Sequence, residues 1–205
     1  MDVNLLGSNP LHLQISGDAV ISATLDLNGT NALTGTSDFD EIFETTGRLG
    51  GGSGGKIIEA GYLGGPGNGP AHLSNPNQFN SGGKPYPGSD DYRASGLVSG
   101  NAAGGGSYGG IGGRPEPTGG LGRNGTSIPA SGKTYGTPDL VHLLAGSGGG
   151  AGTKAGGGSG AGAIKIVATG TLTIGGDIWA VGGKGGNVNA NLAKHGGSGS
   201  GGAFI

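Results

Sequence analysis

The chain has 205 residues, 55 of them glycine, with 32% hydrophobic, 5% aromatic and 12% charged residues and a net charge of −2. A core of that composition must be thin, the charge balance excludes a nucleic-acid-binding surface, and ten prolines without a strict G-x-y period exclude collagen. With no cysteine there is neither a disulfide framework nor a thiolate metal site, and no stretch approaches the ~18 apolar residues of a membrane-spanning helix.

Such glycine content ordinarily means low-complexity disorder. A clean apolar alternation opposes that here. The start, Met1-Asp2-Val3-Asn4, has neither a charged nor an apolar leader region and does not read as a signal peptide, so export would use another route or a leader outside this sequence. The first coil, residues 10–32, places Leu11, Leu13, Ile15, Ala19, Ile21, Ala23, Leu25 and Leu27 on one parity. His12, Gln14, Ser16, Asp18, Ser22, Thr24, Asp26 and Asn28 take the other. That is the period of a strand with one buried face, and Gly17 is a natural bend. Residues 37–46 predict a short capped helix, with Ser37 at the N-cap and Asp38, Asp40 and Glu41 in its first turn.

Residues 62–135 hold most of the prolines and all five tyrosines, which predicts a long, ordered, irregular excursion. A second helix is predicted over Thr137–Gly146, with Pro138 at its first position and Gly146 at its end. The glycine run 146–162 carries two bare rows at a spacing of three, Gly146, Gly149, Gly152, Ala155, Gly158, Ala161 and Gly148, Ala151, Lys154, Gly157, Gly160, Ala163. An extended helix with three residues per turn would pack backbone against backbone along such rows, as polyglycine II does.

The second coil, residues 163–186, repeats the first. Leu11 falls on Ile164, Gly17 on Gly170, Ile21 on Ile174, Leu25 on Ile178 and Gly29 on Gly182. A third copy begins at residues 202–205, where Gly202-Ala203-Phe204-Ile205 matches Gly162-Ala163-Ile164-Lys165. Internal repetition of this kind marks a solenoid, in which no coil buries its face alone. The fold expected is therefore all-β: a single domain of β-solenoid (β-helix-like) coils, with packed polyglycine II segments and one long loop excursion.

Apolar alternation, a glycine tract, then Gly-Ala-Ile-Lys-Ile and Gly-Asp-Ile-Trp-Ala-Val-Gly-Gly-Lys-Gly-Gly resembles the glycine-rich repeats of large secreted or surface-attached bacterial proteins. Residues 162–186, residues 11–29, Gly148-Gly149-Gly150 and the tract Leu49 to Gly55 carry the resemblance, over about half of the chain. It implies an extracellular or cell-surface location and an adhesive or structural role, and supplies no catalytic residue.

Chemistry-bearing motifs are sparse. His12, His72, His142 and His195 are far apart, without a second ligand at metal-site spacing. Asp90-Asp91 and Asp38/Asp40/Glu41 offer the oxygen ligands Ca²⁺ takes, but no EF-hand loop or GGxGxD-type repeat surrounds them. A solvated turn and a helix first turn are the plainer roles, so no cofactor is expected. Gly158-Ser159-Gly160 lacks a partner base and Gly104-Gly105-Gly106 lacks the Lys-Ser/Thr ending of a phosphate loop. The sequons at Asn28 and Asn124 are of a length met by chance.

On the polar parity of the second coil, Val167, Trp179 and Val181 are apolar. Trp179 is predicted to face away from its coil, packing beneath the 62–135 excursion or against another chain. The expected function is a non-enzymatic structural protein whose copies associate end to end into filaments or a surface layer. Its candidate interface is Trp179, Val167, Val181, Phe204, Ile205, Leu11 and Leu13. The alternative is an adhesin tip binding a surface glycan or cell-surface receptor through Tyr86, Tyr92, Tyr108 and Tyr135. Ice binding is a third class, for which the Thr169/Thr171/Thr173 row is short.

Overall fold

The computed structural model describes residues 3–4, 7–32, 45–59, 63–64, 67–69, 106–108, 134–136, 142–152, 155–187 and 196–205. Among these lie ten short strands: β1 (Val3–Asn4), β2 (Leu11–Ile15), β3 (Ala19–Ile21), β4 (Leu25–Asp26), β5 (Ile57–Glu59), β6 (Leu63–Gly64), β7 (Ala163–Ala168), β8 (Leu172–Ile174), β9 (Ile178–Trp179) and β10 (Ala203–Phe204).

Apart from the antiparallel pair β5–β6, the strands form three parallel ladders, ordered β1-β4-β9, β2-β7-β10 and β3-β8. The triplet β2-β3-β4 thus lies along the triplet β7-β8-β9, strand for strand. The register is the one the repeat predicts: Leu11 opposite Ile164, Ile21 opposite Ile174 and Leu25 opposite Ile178. On the far side of β7, Ala203 and Phe204 stand opposite Ala163 and Ile164, as the matched tetrapeptides require. At the other end β1, which the sequence pattern did not mark, adds Val3 and Asn4 to Leu25 and Asp26.

Side chains reinforce the same register. Asp18 Oδ1 accepts from the Thr171 amide at 2.6 Å, Asn28 Oδ1 from Val181 at 2.8 Å and Asn31 Oδ1 from Lys184 at 2.7 Å, each across 153 positions. The apolar parity packs as one thin core of Leu25, Leu27, Leu49, Ile164 and Ile166, flanked by Leu11, Ile15, Ile21, Leu172, Ile178, Ala180 and Phe204. The two aligned bends differ. Gly17 has φ +97°, a conformation that favours glycine, whereas a Cβ at Gly170 would fall 2.2 Å from Asp18 Oδ1.

The glycine tracts assemble beside the ladders into a bundle bonded through its backbone. Within 157–163 successive amides donate to three neighbours in rotation, at 2.8–3.1 Å: 157 to 55, 158 to 197, 159 to 30, 160 to 52, 161 to 200, 162 to 27 and 163 to 49. A return to the same neighbour every third residue is the rotation of an extended helix with three residues per turn. Among the described glycines only Gly7, Gly17, Gly50 and Gly136 have positive φ, so apart from the turn at Gly50 the bundle does not use glycine for unusual dihedrals. It uses the missing Cβ. One added to Gly54, Gly157, Gly158, Gly160 or Gly199 would lie 1.9–2.2 Å from a neighbouring carbonyl oxygen.

Two expectations need correction. The run 146–162 is not one continuous helix. The amides of Gly146, Gly149 and Gly152 donate to the carbonyls of Ala161, Gly158 and Ala155, so the run folds back as two antiparallel halves. Nor does the helix predicted over Thr137–Gly146 extend through 142–146, which are non-helical, while 137–141 lie outside the described residues. Ala145 is buried there, and Gly146 donates to Ala161, so bundle pairing outcompetes the local helix signal. Of the helix predicted at 37–46, Thr45 and Thr46 are non-helical and 37–44 lie outside the described residues.

Candidate functional site

Burial along the ladders varies with position in the stack. Ile166 lies on β7, between β2 and β10, and is 7% exposed. Its counterpart Leu13 lies on β2, which among the described residues has a partner on one side only, and is 37% exposed. At the opposite end Ile174, on β8, is 41% exposed, while its counterpart Ile21 packs against the core. Both exposed residues belong to the inward parity. Leu13 lies on an edge strand of the three-stranded ladder, and Ile174 on the ladder in which β3 and β8 have, among the described residues, only each other.

Leu11, Phe204 and Ile205 meet in the β2-β7-β10 ladder. Leu11 and Phe204 both pair with Ile164, from opposite sides, and Ile205 exchanges bonds with β7 by donating to the Ile164 carbonyl and accepting from the Ile166 amide. Leu11 and Phe204 are half-buried, with apolar surface on the core and one strand edge turned outward.

Val167, Trp179 and Val181 are exposed on the outward face, as their parity predicts. Val20, which the sequence pattern did not single out, is exposed on the first triplet. More than half of Trp179 is open, and the greater part of the 62–135 excursion lies outside the described residues. Asp26 stands opposite it in the ladder and pairs with Arg48 at 3.0 Å.

The tyrosines divide. Tyr86 and Tyr92 lie outside the described residues. Tyr108 and Tyr135, expected on a binding loop, instead pack edge to face with ring centroids 5.1 Å apart. Tyr135 is buried, its hydroxyl donating to the Ala145 carbonyl, and Tyr108 packs against the Ala145, Ala163 and Ala203 cluster. Burial raises the pKa of both phenols; for Tyr135, hydrogen bonds from Ser147 and Ser200 oppose the rise and the nearby Tyr108 adds to it. Around them Ser107, Ser147 and Ser200 close backbone valences: the Ser107 amide donates to Ser147 Oγ, and the Ser147 amide to Ser200 Oγ. These hydroxyls act as bundle mortar. Nothing in their geometry separates a nucleophile from a base.

Among the described residues no three His, Cys, Asp or Glu side chains converge, and no helix is long and apolar enough to cross a membrane. Comparison of the chain with protein-family models, with curated proteins and with solved structures finds no match in any of the three. The reading of the site rests on its geometry.

Proposed function

We propose that the chain is a non-enzymatic, extracellular structural protein of β-solenoid type, stiffened by polyglycine II packing, whose copies add end to end into filaments or a layer. The observation that carries this reading is the paired exposure of Leu13 and Ile174, inward-parity residues at opposite ends of the parallel stack. Strand edges with apolar flanks invite further strands. Sedimentation velocity and negative-stain imaging of the purified chain over a concentration series test it. Mass should grow with concentration into elongated particles; a monomer at every concentration would overturn the proposal.

One observation favours a recognition tip as the second reading. The stretches linking one triplet to the next, 5–10, 27–162 and 180–202, all depart between a strand of the β1-β4-β9 ladder and one of the β2-β7-β10 ladder. Insertions gathered at one corner of a repeat commonly form a binding face. Its contact residues would be Trp179 and the loops of the excursion, without Tyr108 and Tyr135. A glycan or cell-binding screen in which Trp179→Ala abolishes binding would support this reading over the first.

A further inference from the structure

The two ends of the stack are staggered in complementary ways. The β1-β4-β9 ladder has its extra strand, β1, at the end where β2 and β3 are the edges of the other ladders. The β2-β7-β10 ladder has its extra strand, β10, at the opposite end, beside the edges of β8 and β9. Among the described residues, one end therefore projects in one ladder, and the other end projects in a different ladder.

We infer that a second copy docks on this end in one head-to-tail register: its β2 extends β10 and its β1 extends β9, both parallel. This rests on the end-to-end reading above and specifies the contact. The residue pairs follow from partners already shared within one copy. Leu11 and Phe204 both pair with Ile164, so Leu11 of the second copy meets Phe204 of the first, and His12 follows opposite Ile205. Asn4 and Trp179 both pair with Asp26, so Asn4 of the second copy meets Trp179 of the first.

Both ladders call for the same displacement, three strand positions along the stack, which is why one rigid copy satisfies both. A flush approach joining β8 to β3 of the second copy would need two positions. It is excluded, because β10 would then occupy the place of the second copy's β2, and the second copy's β1 the place of β9. At three positions the β8 and β3 edges stand two strand spacings apart, roughly 9.5 Å. The contact is heterologous and does not close, so it propagates as a filament.

The chain has no cysteine, so introduced ones report this register without background. Paired strands about 4.8 Å apart fall within the Cα range a disulfide bridges. His12→Cys and Ile205→Cys variants, mixed under mild oxidation, should cross-link to each other, as should Asn4→Cys with Trp179→Cys. Each variant alone should remain uncross-linked. Self-linked His12→Cys or Ile205→Cys products from an assembling sample would mean head-to-head packing and overturn the register while leaving end association intact. Assembly of the unaltered chain without either mixed product would also overturn it. Failure of the unaltered chain to assemble would defeat the underlying reading instead. Leu13→Lys, which charges the β2 edge, should return the assembly to monomers; the same variant with unchanged far-ultraviolet circular dichroism and undiminished assembly would count against the register.

Discussion

Replacing Gly160 by alanine separates close packing from every other use of glycine. The added Cβ would lie 2.2 Å from the Gly146 carbonyl oxygen and 2.3 Å from its carbon, both rigid backbone. The two halves of the run would have to part by about 1 Å to reach ordinary contact distances. That carries the Gly146 to Ala161 bond, now 2.8 Å, out of hydrogen-bonding range. Overpacking costs about 1–3 kcal/mol and each buried backbone group left unpaired about as much again, so ~4 kcal/mol is expected in total. For a chain of this length that is a fall in Tm of roughly 8–16 °C. Two controls isolate the cause. Gly175 has only the Ile21 carbonyl oxygen within reach, at 3.8 Å, so Gly175→Ala should change stability by no more than about 0.5 kcal/mol. Gly17 has nothing within 4 Å but φ +97°, so Gly17→Ala should cost about 1–2 kcal/mol through strain alone. Thermal and urea unfolding followed by circular dichroism gives all three. If Gly160→Ala melts with Gly175→Ala, the bundle argument is wrong.

Other perturbations follow from the same contacts. Burial raises the Tyr135 phenol above its ordinary value of 10.0, so the folded chain holds a proton that the unfolded chain releases. The associated stability is fully present below about pH 10 and lost as pH rises further. Alkaline unfolding should therefore steepen above that point and flatten in Tyr135→Phe, which also loses about 1 kcal/mol with the bond to Ala145. Asn28→Ala and Asp18→Ala each remove an acceptor for a second-triplet amide at an exposed position. Water substitutes there, so each should cost about 0.5–1 kcal/mol in urea titrations, with Asp18→Asn close to the parent. The Arg48–Asp26 pair is part exposed, with side chains at 26% and 39%, so Arg48→Met should shift stability by less than about 1 kcal/mol, whatever the salt concentration.

The ladders were legible to the residue because two long runs share alternation and glycine positions. Superposing Leu11 on Ile164 settles every later pair, and four residues sufficed to align Ala203 with Ala163. β1, β5 and β6 are strands of two or three residues that belong to neither long run nor to its repeat, which is why they were not anticipated. The glycine bundle was half legible. Its three-residue rows are in the sequence, but rows of hydrogens carry no mark of the neighbour they face, and the fold-back between Gly152 and Ala155 leaves both rows intact. Tyr135 sits among Gly, Thr and Lys with no apolar periodicity, so its burial depends on distant residues, Tyr108 among them. The staggered ends that define the proposed contact become visible only once β1 and β10 are assigned to different ladders.

Whether the glycine run is a packed element or a tether is decided most directly by amide hydrogen exchange on glycine-labelled protein, read by NMR. The amides of Gly157, Gly158, Gly160 and Gly162 each donate at 2.8–2.9 Å to a backbone carbonyl on a neighbouring glycine-rich segment or at the end of the first triplet. They should exchange as slowly as those of Ile164 and Ile166 in β7, opening only with the whole fold. Exchange at unfolded-chain rates through residues 157–162, beside a protected β7, would contradict the account.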